Sequence, residues 1–196
     1  MSEGRTRPVA PGLRMAKTSP MTDEPLLRPW RTQDAPALLR HRRSAPDLEK
    51  NLPPLADVGQ ARQAIERWAD EWDFAIVLNG VAIGSVAVSH LDRTHSTGWF
   101  SYWMSPGGRG RGWTARAACT VADWALFDAP DPLFRLELGH RTNNSASGRV
   151  AARAGFIKEG VERQKLSYHG IRYDTVTLSR LRTDPRSAHE PFALEF

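Results

Sequence analysis

Cysteine is almost missing from this chain. Cys119 is the only one in 196 residues, so no internal disulfide framework can form, and the usage fits a reducing compartment. Within the helical pattern "ARAACTVADWALF" it reads as a small buried core residue rather than a reactive thiol. No apolar run approaches the roughly 18 residues that a membrane span needs, and the first 22 residues hold no apolar stretch of the kind a secretory signal requires. These absences lead to the expectation of a cytoplasmic protein with no membrane partner. Marks of nucleic-acid readers are lacking too: there is no RNP, zinc-finger or basic-helix motif. The net charge of +5 owes much to Arg5, Arg7, Arg14 and Lys17, so it is no argument for nucleic-acid binding.

What is present describes one globular domain. The chain is 40% hydrophobic and 25% charged, with 7 Trp and 7 Phe, and its length suffices for a real core. Residues 1–22 are expected as a disordered basic tail, residues 23–182 as the single domain, and residues 183–196 as a polar C-terminal tail. "PLLRPW" reads as a first strand that Pro29 confines to an edge. Thr32 is placed to cap a following helix, and a second helix begins at Asp57. From residue 73 the apolar period becomes two, with a hairpin signal at Asn79-Gly80, and "TGWFSYWM" (97–104) continues the antiparallel run. A helix (about 111–127), a strand "LFRLELGH", a helix closed by Gly155 and a last hairpin around His169-Gly170 complete an α+β order.

The informative stretch is "SYWMSPGGRGRGWTARA" (101–117). Gly107, Gly108, Gly110 and Gly112 lie between a strand and a helix, where successive bare N–H groups and the helix dipole make a seat for anions, with Arg109 and Arg111 adding charge. A pyrophosphate fits that description. A nucleoside-triphosphate loop does not, because no Lys-Ser/Thr follows the last glycine. Gly110, Gly112 and Ala115 formally satisfy the dinucleotide fingerprint, but that motif belongs to a parallel sheet and a meander precedes it here.

"RGRGWT" (109–114), followed by "ADWALF" and by "RLELGHRTNNSASGRVAARAGFIKEGVER", resembles the GNAT superfamily of N-acetyltransferases, in its ribosomal-protein-alanine acetyltransferase branch. The likeness runs over about residues 25–182 and departs from the usual loop at Thr114. It implies a mostly antiparallel mixed sheet flanked by helices, whose parallel fourth and fifth strands splay around an acetyl-CoA groove. It implies cofactor contacts from the backbones of Tyr102, Trp103 and Met104, from the loop residues Arg109, Gly110, Arg111, Gly112, Trp113 and Thr114, and from Asn144 and Ser147. Arg116, one turn beyond Arg111, is a further candidate for the phosphates.

The resemblance implies acetyl-CoA as cosubstrate, no metal, an amine acceptor, and a monomer or homodimer. Acetyl transfer to an amine needs a proton acceptor and stabilisation of the tetrahedral oxyanion. A backbone N–H near Met104 is the expected oxyanion donor. Where relatives carry a tyrosine on the helix after Asn144, this chain has Ala151, which leaves Ser147 to protonate the thiolate. Where some carry a glutamate on strand four, it has Trp99; Glu137, His140 and His95 are the remaining candidate bases, and Tyr168 could line the site. Residues 47–73 are acidic and are expected to rim the acceptor entrance. A binding protein on the same scaffold without turnover remains the alternative.

Overall fold

Two dipeptides at the hairpin tips set the register of the sheet. Asn79-Gly80 and His169-Gly170 both have positive φ at each residue (50° and 81°, 51° and 80°), the turn whose twist matches that of paired strands. In the computed structural model, which describes residues 23–196, they join β2 (Trp72–Leu78) to β3 (Val81–Asp92) and β6 (Ile157–Tyr168) to β7 (Ile171–Leu181). With β1 (Leu26–Pro29), β4 (Thr97–Met104) and β5 (Arg135–Arg141) they form a seven-stranded sheet in the order β1-β2-β3-β4-β5-β7-β6. The expected basic tail 1–22 lies outside the described residues.

All neighbouring pairs are antiparallel except β4 and β5, which run parallel. The parallel pair is short, matching Thr97 with Arg135, Gly98 with Leu136 and Trp99 with Glu137. Beyond Trp99 the strands part.

Helices α1 (Ala35–Ser44) and α2 (Val58–Trp68) cover one face over β1 to β3, packing Leu38 and Ile65 against Ala75, Ala82 and Trp103. On the other face α3 (Trp113–Asp123) and α4 (Ser145–Arg153) bury Val121, Ala122 and Ala151 against Phe100, Leu136 and Leu138. Asp57 caps α2 as its position suggests, its carboxylate accepting the Gln60 N–H at 2.8 Å. Thr32 does not cap α1. It opens a short 3-10 turn, Thr32–Asp34, whose last residue carries a carboxylate that accepts the Arg31 N–H and forms a two-pronged pair with Arg28, both side chains only 5% exposed. The expected helix 111–127 is α3 followed by one wide π turn, Trp124–Asp128.

Residues 183–196 are no loose tail. Phe192 is buried, and its N–H is accepted by the Thr120 hydroxyl on α3. Leu27 on β1 donates to the Ala193 carbonyl and accepts from Glu195 N–H, both at 2.8 Å, so the chain end extends the sheet edge that Pro29 left partly open. Upstream, the wholly buried Arg180 donates to the Ala154, Pro185 and Asp123 oxygens and the Ser187 hydroxyl, tying the ends of α3 and α4 to this segment. Gly155 closes α4 with φ of +79°, and a Cβ there would press within 3.0 Å of Arg180 Nε. Polar composition concealed these contacts because one aromatic and a few main-chain bonds carry them. Replacing Phe192→Ala is expected to cost about 3 kcal/mol and lower the urea midpoint without changing the slope of the transition; a midpoint equal to wild type would show that the segment is not part of the fold.

Candidate active site

Where β4 and β5 separate, strand geometry decides which main-chain groups are free. Ser105 N–H bonds the Ile83 carbonyl at 2.9 Å, which makes Ser105 and Ile83 a hydrogen-bonded pair of the antiparallel ladder. Alternation then turns the peptide groups of Trp103 toward β3 and those of Tyr102 and Met104 toward the gap left by β5. This refines the expectation from sequence, which gave all three backbones to the groove. The Met104 carbonyl is taken by Arg109 Nε at 3.0 Å, while its N–H points into the opening.

The glycine loop closes the same opening. Ser105–Arg109 is tightened by bonds from Gly108 N–H to the Ser105 carbonyl and from Arg109 N–H to the Pro106 carbonyl. Gly110 and Gly112 then adopt φ of +77° and +78°, the left-handed region that costs other residues roughly 1 kcal/mol or more. The consequence is a ridge of donors: among the described residues, the N–H groups from Gly110 to Ala115 have no acceptor. The first turn of α3 stands behind them with its positive dipole end.

Strand gap, loop and the start of α4 enclose a groove of about 540 Å³. Tyr102, Trp103, Met104, Arg109, Gly110, Gly112, Thr114, Asn144 and Ser147 all line it, as the sequence suggested. Arg111 and Trp113 do not: the Arg111 guanidinium lies over the Trp113 ring, 4.8 Å from its centroid, and only their amides belong to the ridge. Arg116 turns away altogether, bonded to the Glu190 and Pro191 carbonyls and to Glu24.

Asn144 is an N-cap, its carbonyl oxygen accepting the Ser147 N–H at 3.2 Å. Ser147 meets a partner that sequence reasoning missed. The Tyr102 hydroxyl donates to the Ser147 carbonyl at 2.8 Å and lies 3.1 Å from its Oγ. Burial pushes that phenol up to about 12, so it stays a neutral proton donor. It also sits beside the backbone of Ala151, so a hydroxyl from β4 reaches the turn of α4 between Ser147 and Ala151. No local motif marks such a pairing, because the two residues meet only through the fold.

The candidate bases fare differently. Glu137 opens on a separate hollow with His90 and Trp99, and its carboxylate is held by Arg135 at 2.7 Å. His140 bonds the Arg141 carbonyl through Nδ1 at 2.9 Å and faces the backbone of α4, where a Cβ on Gly148 would come within 3.2 Å of Nε2. It stands beside the groove and does not line it. His95 pairs with Asp92 in the β3–β4 turn, far along the strand from the groove. Tyr168, at the last hairpin, lies between Lys50 and Arg141, while neighbouring His169 bonds Glu49. The acidic segment rims the groove only at its start, where Asp47, Leu48 and Asn51 line it and Asp47 pairs with Arg109; Glu49 bonds His169, Asp57 caps α2, and Asp73 lines another cavity. The Trp99 ring rests on Gly139 of β5, where a Cβ would meet it at 3.3 Å.

Comparison with known proteins adds an independent line. A profile of the acetyltransferase (GNAT) domain matches residues 26–157. The Bacillus subtilis (strain 168) protein named Probable N-acetyltransferase YjcK is 31% identical over 103 residues, 52% of this chain and 56% of its own length. The match thus spans little more than half of that relative. Among solved structures, ribosomal-protein-S5-alanine acetyltransferase from Vibrio fischeri superimposes with a TM-score of 0.73 at 21% identity, covering 83% of this chain and 96% of that one. RimL, the ribosomal L7/L12 alpha-N-protein acetyltransferase in complex with coenzyme A, gives a TM-score of 0.70 at 18% identity over 83% and 96% of the two chains. At these identities the likeness of the structures speaks for the fold.

The cap can be tested apart from any ligand. Asn144→Ala is expected to lower stability by about 1 kcal/mol, and Asn144→Asp to keep it, because a carboxylate caps equally and suits the dipole. Equal urea midpoints for Ala and wild type would remove the cap from the account.

Proposed function

Because the chain belongs to the acetyltransferase (GNAT) family, we propose that it moves the acetyl group of acetyl-CoA onto a primary amine, a protein N-terminus or a small amine, by direct attack. The observation that carries this reading is the run of main-chain donors from Gly110 to Ala115, with no acceptor of their own among the described residues, of which Gly110, Gly112, Thr114 and Ala115 line the groove. A diphosphate satisfies several such donors at once, and charge-assisted bonds of this kind are the strong ones. Tyr102 and Met104 supply strand-like groups for the amides of a pantetheine arm, and Asn144 stands at the other wall.

In this reading the thioester supplies an activated acetyl group and a leaving thiolate. The amine nitrogen attacks the carbonyl carbon, and the Met104 N–H donates to the oxygen as it gains charge. When the carbon–sulfur bond breaks, the Ser147 hydroxyl, held beside the Tyr102 hydroxyl, gives its proton to sulfur and takes one back from the ordered water that has received the proton of the amine. The attacking amine must shed a proton. Neither Glu137 nor His140 lines the groove, so ordered water at its mouth takes it.

Two variants test separate parts. Gly110→Val adds a side chain where the protein itself leaves open space, so it strains φ while the fold persists. Losing even two charge-assisted bonds is expected to weaken coenzyme A about 100-fold by calorimetry; unchanged affinity would refute the placement of the diphosphate. Ser147→Ala and Tyr102→Phe are expected to lower kcat, by about 100-fold and 10-fold respectively, with coenzyme A affinity retained. Thiol release measured on a panel of N-terminal peptides and small amines reads the outcome. Coenzyme A binding with no turnover on any amine would favour a binding protein on this scaffold.

A further inference from the structure

A second cavity, of about 490 Å³, shares no lining residue with the groove. It lies at the far end of β2, between the end of α2 and the turn after α3. Its walls are aromatic: Trp30, Trp68, Trp72, Phe74 and Trp124 all line it. Trp30 and Trp68 meet edge to face with centroids 5.6 Å apart, and Trp124 meets Trp72 and Phe74 likewise at 4.8 and 5.3 Å. Edge-to-face pairs of this kind hold the rings that wall the cavity in fixed positions.

The charge lining this cavity has one sign. Glu71, Asp73 and Asp128 contribute carboxylates, and among the described residues no Lys, Arg or His lines it. Asp128 is already matched by Arg186 in a two-pronged pair at 2.7 and 2.8 Å. Asp73 forms no ion pair among the described residues. Its Oδ1 accepts the Trp30 indole N–H at 3.1 Å and the Ser85 hydroxyl at 2.5 Å, while Oδ2 has no protein donor among the described residues. Burial, joined by the repulsion of nearby Glu71, pushes this carboxyl up to about 7 against the pull of those two bonds. The Trp72 ring already attracts a cation elsewhere: the Arg93 guanidinium lies 4.9 Å from its centroid and is paired with Asp131. A carboxylate with a spare acceptor among tryptophan faces is the chemistry that holds an organic ammonium.

We propose that this cavity is a binding site for a small primary ammonium bearing an apolar or aromatic body, with Asp73 accepting its N–H and the tryptophans enclosing the rest. The site is separate from the acetyl-transfer groove and does not rest on the reading given for it. It is nevertheless linked to it, since Trp30 stacks on Trp103 with centroids 6.0 Å apart and Trp103 lines the groove.

The test is calorimetric and fluorescence titration of the full chain, without acetyl-CoA, using 2-phenylethylammonium and its neutral counterpart 2-phenylethanol at mildly alkaline pH. Saturable binding of one equivalent of the amine with quenching of tryptophan emission is expected, at least about tenfold tighter than the alcohol, the worth of one charge-assisted bond. Asp73→Asn, whose amide oxygen can still accept from Trp30 and Ser85, is expected to erase that preference. Trp68→Leu is expected to weaken both ligands, and Gly110→Val to change neither. Thermal melts monitored by circular dichroism establish that each variant is folded. No saturable binding, equal affinity for amine and alcohol, or an Asp73→Asn protein that still prefers the amine would each overturn the proposal. If Asp73→Asn does not fold, Trp68→Leu decides: unchanged affinity for the amine places it outside this cavity.

Discussion

The parting of β4 from β5 after Trp99 governs the rest of this molecule. A parallel pair that continued would satisfy its own peptide groups and leave nothing for a ligand. Because pairing stops after three residue matches, the groove-side groups of Tyr102 and Met104 face an opening, and the loop from Ser105 to Gly112 must carry the chain around its end. Glycine at 110 and 112 makes that turn possible and leaves the donors bare. The free donors of the groove therefore belong mainly to the backbone, and side chains hold that backbone in place. Arg109 is such a side chain: it fastens the Met104 carbonyl and Asp47 at once, fixing loop to strand end.

The two faces of the sheet divide the work. On one, α3 and α4 bury a continuous apolar layer and present their N-termini to the groove, so a packing requirement also aims two sets of orphan amides at one place. On the other, α1 and α2 seat Trp103 against Trp30, leaving the face of β4 and β5 with Trp99 over Gly139. Buried Arg180 then locks the ends of α3 and α4 to the final segment, which closes the edge of β1.

Much of this was legible in the sequence where local chemistry determines it. Asn79-Gly80 and His169-Gly170 announce their hairpins because few other pairs tolerate two positive φ values, and the glycine loop announces an anion seat for the same reason. Gly155 and Asp57 mark helix ends correctly. What escaped were arrangements made by distant parts of the chain. The helix α4 carries Ala151 and no tyrosine, as the sequence shows, but nothing local announced that Tyr102 reaches Ser147 from β4, 45 residues earlier. Glu137 has the right chemistry and the right strand, but alternation along β5 turns it away from the groove and toward Arg135. Arg116 has the right spacing from Arg111, but the helix carries it round to the C-terminal segment. Composition made residues 183–196 look loose, whereas buried Phe192 and the main-chain bonds that Ala193 and Glu195 share with Leu27 commit them to the fold.

The central claim is that main-chain N–H groups at the start of α3 grip the diphosphate of coenzyme A. Amide-resolved hydrogen exchange by NMR, with and without saturating coenzyme A, tests it most directly. The account predicts that the amides from Gly110 to Ala115 exchange quickly alone and become strongly protected in the complex. A saturated complex in which those amides exchange as fast as before would contradict it.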